Sequence, residues 1–135
     1  MFTTYDDLFV CYLENTQMDK SLIPTTDARK YQMIHNACRF YNNKMEDIVK
    51  WNDITETLDM ELEDNGSKLL ILAYCLKRIT HENLLTEFTS VWSGFTKDVG
   101  IKDYNATANA KLRDIERTEH KIDELITNIE GFTIM

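Results

Sequence analysis

The residues of this chain that could bind a metal or perform acid–base chemistry are few and scattered. His35 and Cys38 stand one helical turn apart, a spacing that places two metal ligands on one face of a helix. A zinc site needs further ligands, and neither His81 nor His120 has a nearby one in the sequence. The chain also lacks a glycine-rich phosphate loop and a nucleophile motif, and most of its carboxylates fall at solvent-facing helix positions. The sequence therefore predicts no metal, no cofactor and no enzymatic activity.

Composition indicates one small acidic domain over residues 1–135, with enough apolar residues (43%) to form a single core. The net charge of −8 is opposite to the basic face that nucleic-acid binding requires. No apolar run approaches the ~20 residues that span a bilayer, and Asp6 and Asp7 stand where an export signal would begin. Cys11, Cys38 and Cys75 lie within apolar helical patterns, which favours reduced thiols in a cytosol-like compartment.

The spacing of apolar residues predicts an all-α fold of six or seven helices, with no strand. Residues 69–76 carry no charge, so the helix at about 68–79 is expected to be buried on all sides, with the other helices around it. Ser67 is the expected cap of this helix, and Thr80 is the expected cap of its successor. The predicted helices cover residues 4–15, 27–48, 54–63, 68–79, 80–95 and 108–130, and Gly131 is the expected stop of the last one.

The last predicted helix leaves two interpretations open. Its apolar positions follow a heptad pattern that could pack against a partner helix; they are Ile115, Thr118, Ile122, Leu125, Ile129 and Phe132. Because the pattern is too short for a stable coiled coil, packing onto the core of the same chain is favoured.

The segment before the central helix resembles a diagnostic segment of the Bcl-2 family of apoptosis regulators. That family has Glu-Leu and then Asn-Trp-Gly-Arg leading into its central helix. Here residues 61–68 read Glu-Leu-Glu-Asp-Asn-Gly-Ser-Lys, with Asn65 in place of the family's Asn and Lys68 in place of its Arg. The Trp is missing and the segment is shorter, an erosion that is similar to that of virus-encoded members. Residues 7–13 also resemble the family's N-terminal homology helix.

This resemblance implies an apoptosis inhibitor that holds the BH-3 helix of a pro-death protein in an apolar groove. Lys68 at the groove mouth would then pair with the acidic residue of that helix. The residues implied for the groove are Tyr41, Met45, Ile48, Leu58, Leu62, Asn65, Lys68, Ile71, Leu72 and Cys75.

An empty apolar groove also predicts a homodimer, because water disfavours an exposed apolar patch. The implied location is the host cytoplasm, with recruitment to the mitochondrial outer membrane through partners. Two other functions stay open. One is a Bcl-2-like module that blocks innate immune signalling, and the other is an acidic all-α inhibitor that mimics nucleic acid, for which the charge of −8 is the support.

Overall fold

The computed structural model describes residues 2–61, 67–92 and 101–134. Within them, four α-helices and a small antiparallel sheet of strand order β1-β3-β2 replace the six or seven helices predicted. The elements are β1 (Phe2–Thr4), α1 (Tyr5–Asn15), a 3-10 turn (Lys20–Leu22), α2 (Asp27–Met45), β2 (Trp51–Asn52), β3 (Thr57–Glu61), α3 (Ser67–Trp92) and α4 (Ile101–Ile134). The protein is mostly helical, and the prediction that it has no strand is wrong.

The first two helices begin where the sequence predicts. Thr4 caps α1: its hydroxyl accepts the N–H of Asp7, and the Asp7 carboxylate accepts the N–H of Thr4. Helix α2 begins at Asp27, directly after Thr26. It ends before its predicted limit of Ile48, because Glu46 takes a left-handed conformation with φ of 51°.

The helix predicted for residues 54–63 is wrong, because its described part, residues 54–61, forms the turn and the second strand of the β2–β3 hairpin. In β3, Leu58 and Met60 are buried while Asp59 between them is exposed, which is the two-residue period of a strand. Apolar residues four apart satisfy this period as well as the helical one, so their spacing could not distinguish the two. The pairing of β1 with β3, which places Thr3 opposite Leu58, comes from residues far away in the sequence.

The predicted helix break at Thr80 is also wrong, because α3 continues through this position. The Thr80 side chain is buried, donates to the Leu76 carbonyl oxygen at 3.0 Å and lies 3.1 Å from the Tyr12 hydroxyl. A threonine that bonds back into its own helix does not cap a new one. Helix α4 likewise runs through Gly131, its predicted stop.

The core is centred on the first half of α3, as the apolar run predicts. Helices α1, α2 and α4 all pack against this segment. Its fully buried side chains are Ile71, Leu72, Ala73, Cys75 and Leu76, and they meet Leu8 and Tyr12 of α1, Ile34, Ala37, Cys38 and Tyr41 of α2, and Ile122 of α4.

The position of Leu72 gives a test of this core. Leu72→Ala should lower the free energy of unfolding by about 2–5 kcal/mol, because it leaves a cavity with packed helices around it. Urea unfolding measures the change, and Val10→Ala, at a half-exposed position of α1, should cost far less. Equal effects of the two substitutions would contradict a buried α3.

Candidate functional site

Side chains from two helices meet at Asp53, in the turn between β2 and β3. The Tyr5 hydroxyl, at the start of α1, donates to Oδ1 of Asp53 at 2.5 Å. Nε2 of His35, on α2, lies 2.8 Å from the same oxygen. We call Tyr5, His35 and Asp53 the carboxylate clasp, since one carboxylate connects α1, α2 and the hairpin.

Aromatic contacts surround the clasp. The His35 ring stacks on Trp51 with 4.5 Å between centres and 16° between planes. Arg39, one helical turn further along α2, places its guanidinium 5.3 Å from the centre of the Trp51 ring. Tyr31 makes an edge-to-face contact with Tyr5 at 5.6 Å. One face of α2 therefore holds both the β2 strand and the start of α1.

The contacts of the clasp shift the pKa values of Asp53 and Tyr5. Partial burial alone would raise the pKa of Asp53, but hydrogen bonds from Tyr5 and His35 and the charge of His35 bring it below its usual value. Burial, together with the neighbouring Asp53 carboxylate, raises the pKa of Tyr5 far above its usual range. At neutral pH the clasp therefore contains an ionised carboxylate and a neutral phenol.

A carboxylate–histidine pair occurs in hydrolytic sites, where the histidine activates a nucleophile. In this clasp the only hydroxyl, that of Tyr5, is already donated to Asp53, and its raised pKa makes it a poor nucleophile. No group of three metal-binding side chains occurs among the described residues. The contacts of the clasp connect the hairpin turn to α1 and α2.

The turn itself carries further restraints. Oδ1 of Asn52 accepts the N–H of Ile54 at 3.0 Å and that of Thr55 at 3.3 Å, an arrangement that closes the turn locally. Glu56 has a left-handed φ of 52°, and its carbonyl oxygen accepts the N–H of Tyr5 at 2.9 Å. At the tip of this restrained turn, the side chain of Ile54 is 96% exposed.

The eight predicted groove residues that the structure describes do not line an open surface together. Five of them are fully buried in the closed core, where they contact one another from α2, β3 and α3; these are Tyr41, Leu58, Ile71, Leu72 and Cys75. Met45 is partly buried at the end of α2, and Ile48 is 75% exposed in the loop that follows. Lys68 is half-buried in the first turn of α3. Leu62 and Asn65 lie outside the described residues.

Sequence reasoning missed the role of Tyr5 and Asp53, and it considered His35 only as a possible metal ligand beside Cys38, in a pair too small to predict a metal site. Cys38 is fully buried, and burial raises the pKa of its thiol to about 12. The available signal was the spacing of His35 and Arg39 on one helix face, together with the polar pair Asn52-Asp53 after an aromatic residue.

The comparisons with known proteins bear on the whole chain. A family model described as "YomZ prophage protein" matches residues 1–131. The chain is also 33% identical over 126 residues to the "SPbeta prophage-derived uncharacterized protein YomZ" of Bacillus subtilis (strain 168), covering 93% of this chain and 95% of that protein. This chain belongs to the YomZ prophage protein family. No solved structure matches it.

Membership of the YomZ family overturns the resemblance to the Bcl-2 family. A prophage resides in a bacterium, which has no mitochondria and no BH-3 proteins, so the expected apoptosis inhibition, its partner, the role of Lys68 and the mitochondrial location are wrong. The immune-signalling alternative fails for the same reason, and the comparison gives the nucleic-acid mimic no support. The resemblance arose because an apolar helix after a polar turn is common to helical cores. No helix in the described ranges could cross a membrane.

The clasp predicts a pH dependence of stability. Folding lowers the pKa of Asp53, so the ionised carboxylate stabilises the folded state. This contribution to the free energy of unfolding is complete above the pKa of an unfolded carboxyl, about 3.9, and is lost as the pH falls through the lower pKa of the folded state. Asp53→Asn should therefore destabilise the protein at neutral pH, and its difference from the wild type should shrink in acid. Urea unfolding at several pH values measures this. Asp59→Asn, at an exposed carboxylate of the same hairpin, is the control and should show no such convergence.

Thiol reactivity separates a closed core from an open groove. Cys75 and Cys38 are buried with pKa values raised to about 12, whereas Cys11 is half-buried on α1. A thiol reagent should modify Cys11 in the folded protein, and Cys38 and Cys75 only after unfolding. Modification of Cys75 at the rate of Cys11 would place it at an open surface instead.

Proposed function

We propose that this chain is a non-catalytic protein-binding module that inserts Ile54 into an apolar pocket of a partner protein. The observation that carries this proposal is the restrained hairpin turn, which presents an almost fully exposed isoleucine. The turn is held by the carboxylate clasp on one side and by the hydrogen bond from Tyr5 to Glu56 on the other.

Single exposed apolar residues are common on protein surfaces, so exposure alone would mean little. Ile54 differs from other exposed apolar residues because hydrogen bonds hold the backbone of its turn in one conformation. Binding costs free energy when a loop must be ordered first, and a turn already held in shape avoids that cost. An apolar side chain seated in a pocket can then supply much of the binding energy of an interface.

The same contacts favour binding over catalysis. Asp53 accepts two hydrogen bonds on one oxygen, Tyr5 donates its proton to it, and one face of His35 is covered by Trp51. The three side chains of the clasp that could take part in acid–base chemistry are therefore occupied in holding the turn. We also propose that the partner is not a nucleic acid, since the chain carries a net charge of −8.

A homodimer also remains a proposal, although its original basis has gone. The apolar groove that was expected to drive self-association consists largely of residues in the closed core. Self-association would therefore have to use another surface.

Capture from a bacterial lysate tests the role of Ile54. The full chain is immobilised and exposed to lysate of Bacillus subtilis that carries the SPbeta prophage, and captured proteins are quantified by mass spectrometry. We expect at least one captured protein whose amount is about ten-fold lower with Ile54→Asp than with the wild type. A reduction of this size is expected when the central apolar contact of an interface is lost. Ile48→Asp, at an exposed isoleucine outside the turn, should leave recovery unchanged.

Asp53→Asn provides a second arm of this experiment, because it loosens the clasp and keeps Ile54. Its recovery of the same partner should fall between those of the wild type and Ile54→Asp. Equal recovery of every captured protein by the wild type and Ile54→Asp would refute the proposal.

A further inference from the structure

Helices α3 and α4 run antiparallel, and their contacts fix which positions face each other. Arg78 pairs with Glu119 at 2.6 Å, and Nζ of Lys111 lies 5.6 Å from the centre of the Phe88 ring. As the position on α3 rises, the facing position on α4 falls. The second half of α3 therefore lies beside the first half of α4, and we call this helix pair, residues 81–92 and 101–114, the arm.

Burial ends at facing positions in the two helices. Thr80 is the last buried residue described on α3, and Ile115 is the first one described on α4. None of the described side chains at 81–89 or 105–114 is buried. The arm thus extends beyond the core as two helices, and no third element among the described residues buries its described side chains.

The arm carries more apolar surface than its two helices cover. The larger apolar side chains that the structure describes in the arm are Leu84, Leu85 and Phe88, which are half-buried, and Leu112, which is 44% exposed; we call these four the apolar stripe. The facing part of α4 alternates alanine with polar residues at positions 106–110, and such short side chains cover little of a neighbouring helix. One side of the apolar stripe therefore stays in contact with water.

The exposed area of the chain agrees with an uncovered surface. A compact monomer of 15.9 kDa exposes about 7,400 Å², whereas this chain exposes 8860 Å². The excess of about 1,500 Å² is counted over the whole chain and not over the arm alone, and its size lies within the area that one subunit buries in a permanent dimer, about 1,000–2,500 Å². A second copy would therefore bring the exposed area per chain to that of a compact protein.

We propose that the arm of a second copy covers this stripe, so that two arms form a four-helix bundle about a two-fold axis. The charges of the arm are complementary to those of its own copy. Among the described side chains of the arm, α3 contributes Glu82, which also pairs with Arg78 of its own chain, and Glu87, while α4 contributes Lys111 and Arg113 with one acid, Asp114. In a two-fold interface that places α3 of one copy beside α4 of the other, these opposite charges face each other.

The matched family region includes the arm, so the arm is part of the domain that the YomZ family shares. The bundle is independent of the Ile54 turn. Loss of dimerisation would leave the binding proposal standing, and loss of partner capture would leave the dimer standing.

Analytical ultracentrifugation of the full chain over a wide concentration range tests the bundle. The wild type should sediment as a dimer, and Leu112→Asp should weaken dimerisation at least about ten-fold, because a carboxylate replaces apolar surface in the interface. Val10→Asp is the matched control: Val10 is 52% exposed on α1, outside the arm, and gains the same charge. This variant should dimerise like the wild type.

Circular dichroism verifies that each variant is folded. If Leu112→Asp does not fold, Leu112→Ser takes its place. A wild type that stays monomeric at about 100 µM, well above the Kd of a stable dimer, would overturn the proposal. The proposal would also be overturned if Leu112→Asp and Leu112→Ser both dimerised with the Kd of the wild type, since the arm would then lie outside the interface.

Discussion

Every helix of this protein depends on covering the apolar first half of α3, which cannot face water on any side. Helices α1, α2 and α4 supply that cover. The same segment of α3 also completes the end of α1: the Tyr74 hydroxyl donates to the Asn15 carbonyl oxygen at 3.0 Å, and Nζ of Lys77 donates to that of Thr16 at 2.8 Å. Those carbonyls have no partner within their own helix, so α3 both buries the core and satisfies the backbone of its neighbour.

Polar contacts then determine how α4 lies on the core. Arg78 of α3 places its guanidinium 4.3 Å from the centre of the Phe40 ring on α2 and pairs with Glu119 of α4. Lys44 of α2 pairs with Asp123 of α4 at 3.0 Å. Exposed ion pairs add little stability singly, but together these fix the register of α4 against two helices. That register decides where the arm leaves the core and which side of it stays uncovered.

The predicted groove and the observed hairpin show how one pattern can support two structures. Leu58 satisfies a helical stripe and an alternating strand equally well, and its pairing with both β1 and β2 selects the strand. Because β3 is a strand that packs on the core, Leu58 is fully buried and does not line a groove. The candidate site was beyond sequence reasoning for the same reason: Tyr5 and Asp53 are 48 positions apart and meet only because the hairpin folds beside the start of α1.

The sequence by itself determined the starts of α1 and α2 and the buried part of α3, because caps and apolar runs act between residues a few positions apart. It also determined the helical character of most of the chain. The tertiary structure alone decided that Thr80 sits inside a continuous helix, since its hydroxyl bonds to Leu76 and Tyr12 rather than capping a new one. The pairing of β1 with β3, the clasp and the arm were decided in the same way, because each is formed by contacts between distant segments that no local pattern specifies.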